Sequence, residues 1–273
     1  CDICSKYHPA LDYLEFLGMH PWQLHPHMQK RREDLDPETE LQKPIAISVL
    51  EKEAVSEKQI SQAWDKVADR WISGYTEYGD SNREYVIDPV IFRLIGSVKD
   101  LSILDAGCGN GYLCRLLAKK GAKMVGVDLS KRFIEIAMQN EKETSLGITY
   151  YRGTICNLAM LQDEMFDIII SNLALMDVSN LEKALKELRR VLKRKGKLVF
   201  SIKHPCFSSP PIQGWIRIPE DSDRKEDRIY WKVDRYFDRG VEVWQYFDLP
   251  PLYSFHHTLS DYIKTLIKSG FTI

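Results

Sequence analysis

The sequence predicts an α/β fold built on a doubly wound, mostly parallel sheet. From Leu101 onward, short apolar stretches alternate with amphipathic stretches of helical period. Such alternation is typical of βαβ units, whose right-handed crossovers place helices on both faces of one sheet. A second observation is the stretch 103–111, ILDAGCGNG, in which an apolar strand runs into a glycine-rich turn. A strand, turn and helix in that order are expected at the ligand-binding edge of such a sheet.

The individual elements follow from the same alternation. Helices with an apolar face are expected over 56–77 and 84–95, where Pro89 marks a kink or a restart. Strands are expected over 101–106, 123–128, 148–152, 166–171 and 197–202. The intervening helices are expected over 111–120, 130–142 and 179–193, and a last helix over 259–268. Gly270 then predicts one more strand at Phe271.

Charge and composition limit the classes of partner and the cellular location that are expected for this chain. The chain of 273 residues carries 38 Lys and Arg against 39 Asp and Glu, so no global field favours nucleic acid or a membrane surface. No apolar run approaches the roughly 20 residues that span a bilayer. The six cysteines are scattered, which favours reduced thiols and a cytoplasmic location. Because the chain begins at Cys1 without Met and stops inside an apolar run, both ends are expected to continue in a longer protein.

The first 57 residues differ from the rest and are predicted to form an appendage. Cys1, Cys4, His20 and His25 approach the spacing of a zinc site with two thiolates and two imidazoles. The gap between the pairs is longer than usual, and no finger core is evident. Solvated histidines and terminal thiols therefore remain the alternative, and the segment is a candidate partner-binding region.

The glycine turn indicates a nucleotide-type pocket, and two kinds of pocket are excluded. A phosphate-binding P-loop needs a Lys after its last glycine, and Gly111 is followed by Tyr112. A dinucleotide turn needs GxGxxG, and neither register of this sequence supplies the third glycine. An acid two residues before GxGxG is instead typical of a loop that wraps an amino-acid-bearing nucleoside without a pyrophosphate.

Two motifs together carry a resemblance to a known family. DAGCGNG, followed at the end of the second strand by Asp128 in VGVDLS, resembles the class I S-adenosylmethionine-dependent methyltransferases. The resemblance covers roughly residues 63–273, so that 58–273 is expected to be the methyltransferase domain. It implies seven strands in the order 3-2-1-4-5-7-6, with S-adenosylmethionine across the carboxyl ends of strands 1 and 2. Ligands of open α/β sheets bind at that edge, where the strand order reverses.

The resemblance assigns roles to the first two strand ends. Gly107, Gly109 and Gly111 would let the backbone approach the methionine part of the cofactor, and Asp105 would lie near its amino group. Asp128 would accept hydrogen bonds from both ribose hydroxyls. The alternative is that Asp128 is only a strand-end acid or a helix N-cap.

Later strand ends would complete the cofactor site. Leu129 would pack on the adenine, and Asn172 and Leu173 would line the reactive end. Thr154 and Ile155 match the segment where many relatives carry an Asp for the adenine amino group. Since this chain has Thr there, the adenine contact stays open, with the Ile155 backbone as one candidate.

Residues 58–98 are expected to form a helical lid over the cofactor. By resemblance, Tyr75 would contact the methionine end and Arg83 would pair with its carboxylate. Apolar packing accounts for the spacing of Trp64 and Trp71 without a role in binding. For Arg83, a solvated loop position is the alternative.

Residues 204–257 are expected to be an insertion that covers the substrate. Their aromatic density suits a planar or apolar small molecule, although such clusters also serve for packing alone. His204 and His257 are the candidate catalytic residues, as substrate contacts or as a general base, because imidazole titrates near neutral pH. The alternative is that His256 and His257 cap the helix that follows Thr258.

The sequence thus favours methyl transfer to a small, aromatic or apolar metabolite. SNLALMD after the fourth strand lacks the (D/N)PPY pattern of enzymes that methylate nucleic-acid amino groups, so DNA is not expected as substrate. Two alternatives stay open: a protein or RNA methyltransferase recruited through residues 1–57, and a non-catalytic binding module. Unless further residues follow Ile273, the sheet has an exposed edge, and a partner that covers this edge is then expected.

Overall fold

The computed structural model describes residues 55–207, 214–222, 224–233, 236–245 and 249–273. The proposed zinc residues Cys1, Cys4, His20 and His25 lie outside the described residues, so the zinc hypothesis stays a prediction.

A five-stranded parallel sheet forms the centre of the fold and confirms the predicted α/β class. Its spatial order is β3-β2-β1-β4-β5, and each neighbouring pair is parallel. The order reverses between β1 and β4, which makes the sheet doubly wound and leaves a crevice at the carboxyl ends of these strands. The strands are β1 Ser102–Ala106, β2 Lys123–Asp128, β3 Thr149–Arg152, β4 Phe166–Asn172 and β5 Leu192–Ser201.

Six α-helices accompany the sheet within the described residues. A π-helical turn, Arg83–Ile87, precedes the second helix, and Pro89 lies in that helix's first turn, so the predicted restart is confirmed. The first helix stops five residues earlier than expected, because the chain turns and closes a bridge between Thr76 and Gly79. The helices are α1 Glu57–Ile72, α2 Asp88–Ile95, α3 Tyr112–Ala118, α4 Lys131–Glu143, α5 Leu181–Val191 and α6 Leu259–Lys268.

Two apolar layers hold the helices to the sheet. Successive strand residues such as Ile103 and Leu104 point to opposite faces of the sheet and belong to different core clusters. Helices α2, α3 and α4 pack on the Ile103 face, while α5 and α6 pack on the Leu104 face. Burial on both faces is why the strands read as apolar runs rather than as alternating sequences.

The segment after β5 forms two antiparallel hairpins rather than further strands of the sheet. β6 Gly214–Arg217 pairs with β7 Arg228–Lys232, and β8 Gly240–Trp244 pairs with β9 Leu252–His256. The expected strand order 7-6 beyond β5 is not found in the described part of the chain.

The strand predicted at Phe271 is wrong. Gly270 adopts a φ of 88°, and Phe271 N donates to Leu266 O, so these residues end α6 instead of entering the sheet. Phe271 packs against the Leu104 layer of the core.

The second hairpin packs against α1. Leu252 of β9 lies among Ala63 and Val67, and Val241 of β8 lies against Ile60. The predicted lid helix and part of the predicted insertion therefore share one apolar contact. No helix in the described ranges is both long and apolar enough to cross a membrane.

Candidate functional site

The glycine turn after β1 leaves open space at the edge of the sheet. Gly107, Gly109 and Gly111 have φ values of 86°, 53° and 72°, a region that side-chain-bearing residues rarely adopt. A Cβ at Gly107 would collide with Ala174, and one at Gly111 would collide with Tyr150. A Cβ at Gly109 would meet no atom of the described residues within 4 Å. Packing accounts for two of the glycines, and the third faces space that a ligand can fill.

Asp128 joins the end of β2 to that turn. Its Oδ2 accepts a hydrogen bond from Gly109 N at 2.8 Å, and its Oδ1 accepts one from Ser130 N at 2.8 Å. Desolvation raises the pKa of Asp128 to about 6, against the lowering effect of these two N–H groups. The alternative role as a helix cap is wrong, because Ser130 is the N-cap of α4 and accepts from Phe133 N. Each Asp128 oxygen keeps a lone pair for a further donor.

Asp105 is a buried residue of β1, directly before the glycine turn. The residue is 2% exposed, and its Oδ2 accepts a hydrogen bond from Cys114 Sγ at 3.4 Å. Burial raises the pKa of Asp105 to about 7.

A buried polar network joins the starts of α2 and α3 to the end of β4. Tyr112 Oη donates to Asp88 Oδ1 at 3.1 Å, and Asn172 Nδ2 donates to both atoms at 3.0 and 3.1 Å. Ser201 Oγ in turn donates to Asn172 Oδ1 at 2.6 Å. Asp88 Oδ2 is buried and has no hydrogen-bond partner among the described residues. Burial raises the pKa of Asp88 to about 7.

Asp88 and Tyr112 were not among the site residues predicted from the sequence. The signal available for Asp88 was its place before Pro89 at a helix start, which suggests a cap rather than a buried carboxylate. Leu173, predicted to line the reactive end, is a non-glycine residue with a φ of 53°. Backbone strain of that kind gathers at binding sites and switch regions.

Tyr75 and Arg83 lie together beside this network. The Arg83 guanidinium lies 5.4 Å from the Tyr75 ring centroid, and the Tyr75 ring meets the Tyr112 ring edge-on at 6.0 Å. Arg83 pairs with Asp80 and its side chain is 13% exposed, so it is not a solvated loop residue. Tyr75 Oη accepts a hydrogen bond from Trp71 Nε1, and burial raises the pKa of Tyr75 to about 12.

The carboxyl ends of β2 and β3 lie under α1. Leu129 packs with Val55 and Ile60. Thr154 Oγ1 donates to Glu57 Oε1 at 2.7 Å, a contact that the sequence did not suggest. Ile155 is 7% exposed and belongs to the core layer on the Leu104 face.

The two candidate catalytic histidines have different surroundings. His204 is exposed after β5, and its Nδ1 accepts from Cys206 N at 3.2 Å. His257 is partly buried, and its Nε2 is shielded from solvent without a hydrogen-bond partner in the described ranges. Desolvation lowers the pKa of His257, which favours the neutral ring. Thr258 caps α6, so the capping role considered for His256 and His257 is wrong.

A small polar cavity of about 10 Å³ adjoins His257. Such a volume holds roughly one water molecule. Lys203 and Ser254 line it together with His257, and Ser254 Oγ donates to Asp177 Oδ1 at 2.5 Å. The Lys203 Nζ atom lies 4.1 Å from the Trp244 ring centroid. Polar side chains thus gather beyond the ends of β4 and β5.

The aromatic residues of the first hairpin pack mainly against one another. Trp231 meets Trp215 at 5.7 Å and Phe207 at 5.6 Å, both edge-on. This arrangement favours packing for these rings, which was the alternative to direct substrate recognition.

The observed set of groups fits a nucleoside with an attached amino acid. Asp128 has free acceptor capacity, Gly109 faces open space, and the corner beside β4 holds an orphaned buried carboxylate oxygen next to Arg83. These are the donors and acceptors that hydroxyl, ammonium and carboxylate groups require. The fold and site therefore define an α/β protein of the nucleoside-binding class.

Comparison with known proteins gives the family. Residues 104–200 match the family described as "Methyltransferase domain". An S-adenosylmethionine-dependent methyltransferase from Mesorhizobium loti is 30% identical, with a TM-score of 0.57, over 68% of this chain and 80% of that one. A Listeria monocytogenes structure assigned to the same class is 30% identical, with a TM-score of 0.58, over 68% and 83%. The chain belongs to the S-adenosylmethionine-dependent methyltransferase family.

One curated relative has a name that describes its reaction. The ubiquinone biosynthesis O-methyltransferase of Coxiella burnetii is 29% identical over 155 residues. The match covers 56% of this chain and 64% of that enzyme's length.

Proposed function

We propose that this protein transfers the methyl group of S-adenosylmethionine to a small, aromatic or apolar metabolite. The observation that carries the proposal is Asp128, held by Gly109 N and Ser130 N beside the open space of the glycine turn. Family membership and the Coxiella relative, whose name describes O-methylation, support it.

The chain's own residues divide the work of binding. Asp128 accepts hydrogen bonds from the two ribose hydroxyls, since both carboxylate oxygens are already oriented by backbone N–H groups. Arg83 would pair with the carboxylate of the amino-acid part, and Asp88, whose Oδ2 has no partner in the described residues, would accept from its ammonium group together with Asp105. Asn172 and Leu173 border the reactive end, where the network through Tyr112 fixes the end of β4.

When bound, S-adenosylmethionine supplies a methyl group on a sulfonium, which leaves as a neutral thioether when an acceptor atom displaces it. The protein's contribution is mainly alignment and exclusion of water. For a hydroxyl acceptor a base must take the proton, and His257 Nε2 is suited to this role. This atom has no hydrogen-bond partner within the described residues, and desolvation lowers the pKa of His257, which favours the neutral ring that a base requires.

The division into an appendage, a helical lid and a substrate-covering insertion remains part of the proposal. Contact between α1 and the β8–β9 hairpin supports a shared cover over the sheet edge. The four cysteines of the described residues are free, which supports a cytoplasmic location.

Calorimetry with S-adenosylmethionine tests the function. Asp128→Ala is expected to lose on the order of 100-fold in affinity, because two charge-assisted hydrogen bonds disappear. Asp163→Ala, an exposed partner of Arg190, is the control and should bind as the wild type does. Unchanged binding in Asp128→Ala would overturn the proposed site.

A further inference from the structure

The first residue of α1 reaches the loop that follows β3. Thr154 Oγ1 lies 2.7 Å from Glu57 Oε1 and 3.1 Å from Cys156 N. Because a backbone N–H only donates, the Thr154 hydroxyl accepts from Cys156 and directs its own proton to Glu57. The two residues are 97 positions apart in the sequence, and their hydrogen bond orients the Glu57 carboxylate.

Polar contacts on both sides fix the position of Glu57. Around it, Ser56 and Gln59 form a reciprocal capping box, which sets the residue at which α1 begins. Beyond it, Ser61 Oγ donates to Leu129 O at 3.0 Å, and Asp65 Oδ1 accepts from Ser130 Oγ at 2.6 Å. Helix α1 is therefore held across the carboxyl end of β2, with its N-terminus at the β3 loop.

The strand order decides which part of a nucleoside meets Glu57. In the order β3-β2-β1, Asp128 lies between the glycine turn and the loop of Thr154, and Gly153 N donates to Asp128 O at 2.9 Å. With the ribose on Asp128 and the amino-acid part over the glycine turn, the base extends toward β3. There it would meet the half-buried side chain of Leu129 and the carboxylate of Glu57.

We infer that Glu57 is the acceptor for the 6-amino group of the cofactor's adenine, with Thr154 as the residue that positions it. The inference rests on the proposed function, because it assumes that S-adenosylmethionine is the ligand. An exocyclic amine needs an acceptor, and an ionised carboxylate only accepts. Helix α1 thus supplies the carboxylate that the loop after β3, with Thr at position 154, does not carry.

The inference predicts discrimination between two purines. A 6-oxo purine presents a carbonyl oxygen to the Glu57 carboxylate, so two acceptors face each other without a proton. Glu57→Gln keeps the shape of the side chain but adds an amide donor, which the 6-oxo group can accept. The substitution lies in a partly exposed first helical turn, where the fold tolerates a neutral side chain.

Calorimetry with S-adenosylhomocysteine and S-inosylhomocysteine tests the inference. The wild type should prefer the adenine compound by at least tenfold, and Glu57→Gln should reduce that ratio by on the order of tenfold. Thr154→Val should reduce it less, because the carboxylate remains but loses its orienting donor. Asp69→Asn, on the exposed face of the same helix, should keep the wild-type ratio.

The outcomes separate this inference from the proposed function. If Glu57→Gln is folded by circular dichroism and keeps the wild-type ratio, the assignment of Glu57 is overturned while cofactor binding stands. If the wild type binds neither compound, the proposed function and the inference fall together.

Discussion

Asp128 Oδ2 accepts a hydrogen bond from Gly109 N at 2.8 Å, which ties the end of β2 to the turn that follows β1. The same carboxylate orders Ser130 N at the start of α4. One side chain therefore holds the edges of two neighbouring βα units in fixed relation. Because no Cβ stands at Gly109, the space beside this bond is open to a ligand.

Gly109→Ala is expected to weaken cofactor binding far more than it weakens the fold. Its φ of 53° makes any side chain cost about 1 kcal/mol, and the added Cβ projects into the ligand space. Calorimetry with S-adenosylhomocysteine should show a loss of at least tenfold in affinity, alongside a small fall in the urea midpoint.

Gly147→Ala is the matched control for that change. Gly147 has a φ of 75° and open space around its Cβ position, but it lies before β3, away from the glycine turn. It should show a similar loss of stability with wild-type affinity. Equal affinity losses in the two variants would mean that backbone strain, not ligand space, explains Gly109.

Asp65→Ala is expected to detach α1 from the sheet edge. Asp65 Oδ1 accepts from Ser130 Oγ at 2.6 Å and from Arg132 N at 3.0 Å, and Ser130 is fully buried. The change leaves a buried hydroxyl without its acceptor and should lower the free energy of unfolding by about 1–3 kcal/mol. Urea denaturation measures the change, and proteolysis near residue 57 should become faster.

Asp69→Ala gives the comparison for Asp65. It removes a carboxylate one helical turn later that pairs with Arg132 on the surface. An exposed pair of this kind contributes little to stability. A similar loss in both variants would contradict the docking role of Asp65.

The sheet and the cofactor edge could be predicted because their signals are local. Strands buried on both faces produce apolar runs, and a turn that needs positive φ produces glycines at fixed positions. Asp128 was found in the same way, since a strand-end acid at that spacing from Gly111 is a short-range pattern. The alternation of elements predicted a mostly parallel sheet, whereas its order β3-β2-β1-β4-β5 was expected only from the family resemblance.

The remaining site residues depend on contacts between distant segments. Asp88 meets Tyr112 across 24 residues, and Glu57 meets Thr154 across 97. No periodicity or spacing in the sequence indicates such a contact, because each of these residues is also a common residue at a helix start or in a loop. The strand expected at Phe271 failed for a related reason: Gly270 serves equally well to begin a strand or to end a helix.

His257→Gln is expected to slow methyl transfer to a hydroxyl acceptor by on the order of 100-fold, since a neutral amide cannot take the proton. His204→Ala should slow it by less than about threefold, because His204 is exposed and its Nδ1 already accepts from Cys206 N. A radiolabelled methyl transfer assay with a set of dihydric phenols measures both. Comparable losses in the two variants, or full activity in His257→Gln, would exclude His257 as the base.

Asp88→Asn is expected to gain stability relative to the wild type as pH rises. Burial raises the pKa of Asp88 in the folded protein from 3.8 to about 7. Between these values the folded state binds the extra proton, so the wild type loses stability as pH increases through this window. The loss attributable to Asp88 is about 2.6 kcal/mol from pH 5 to pH 8.

Urea denaturation of the ligand-free protein at pH 5, 6, 7 and 8 measures this difference. The gap between Asp88→Asn and the wild type should widen toward pH 8, because the Asn side chain keeps an oxygen for Tyr112 and Asn172 but carries no charge. Asp167→Asn is the control, because Lys193 holds the pKa of Asp167 below its ordinary value of 3.8, so this carboxyl is ionised in both the folded and the unfolded state from pH 5 to pH 8 and its gap to the wild type should stay constant. A constant gap across the four pH values would show that Asp88 ionises as freely in the folded protein as in the unfolded chain.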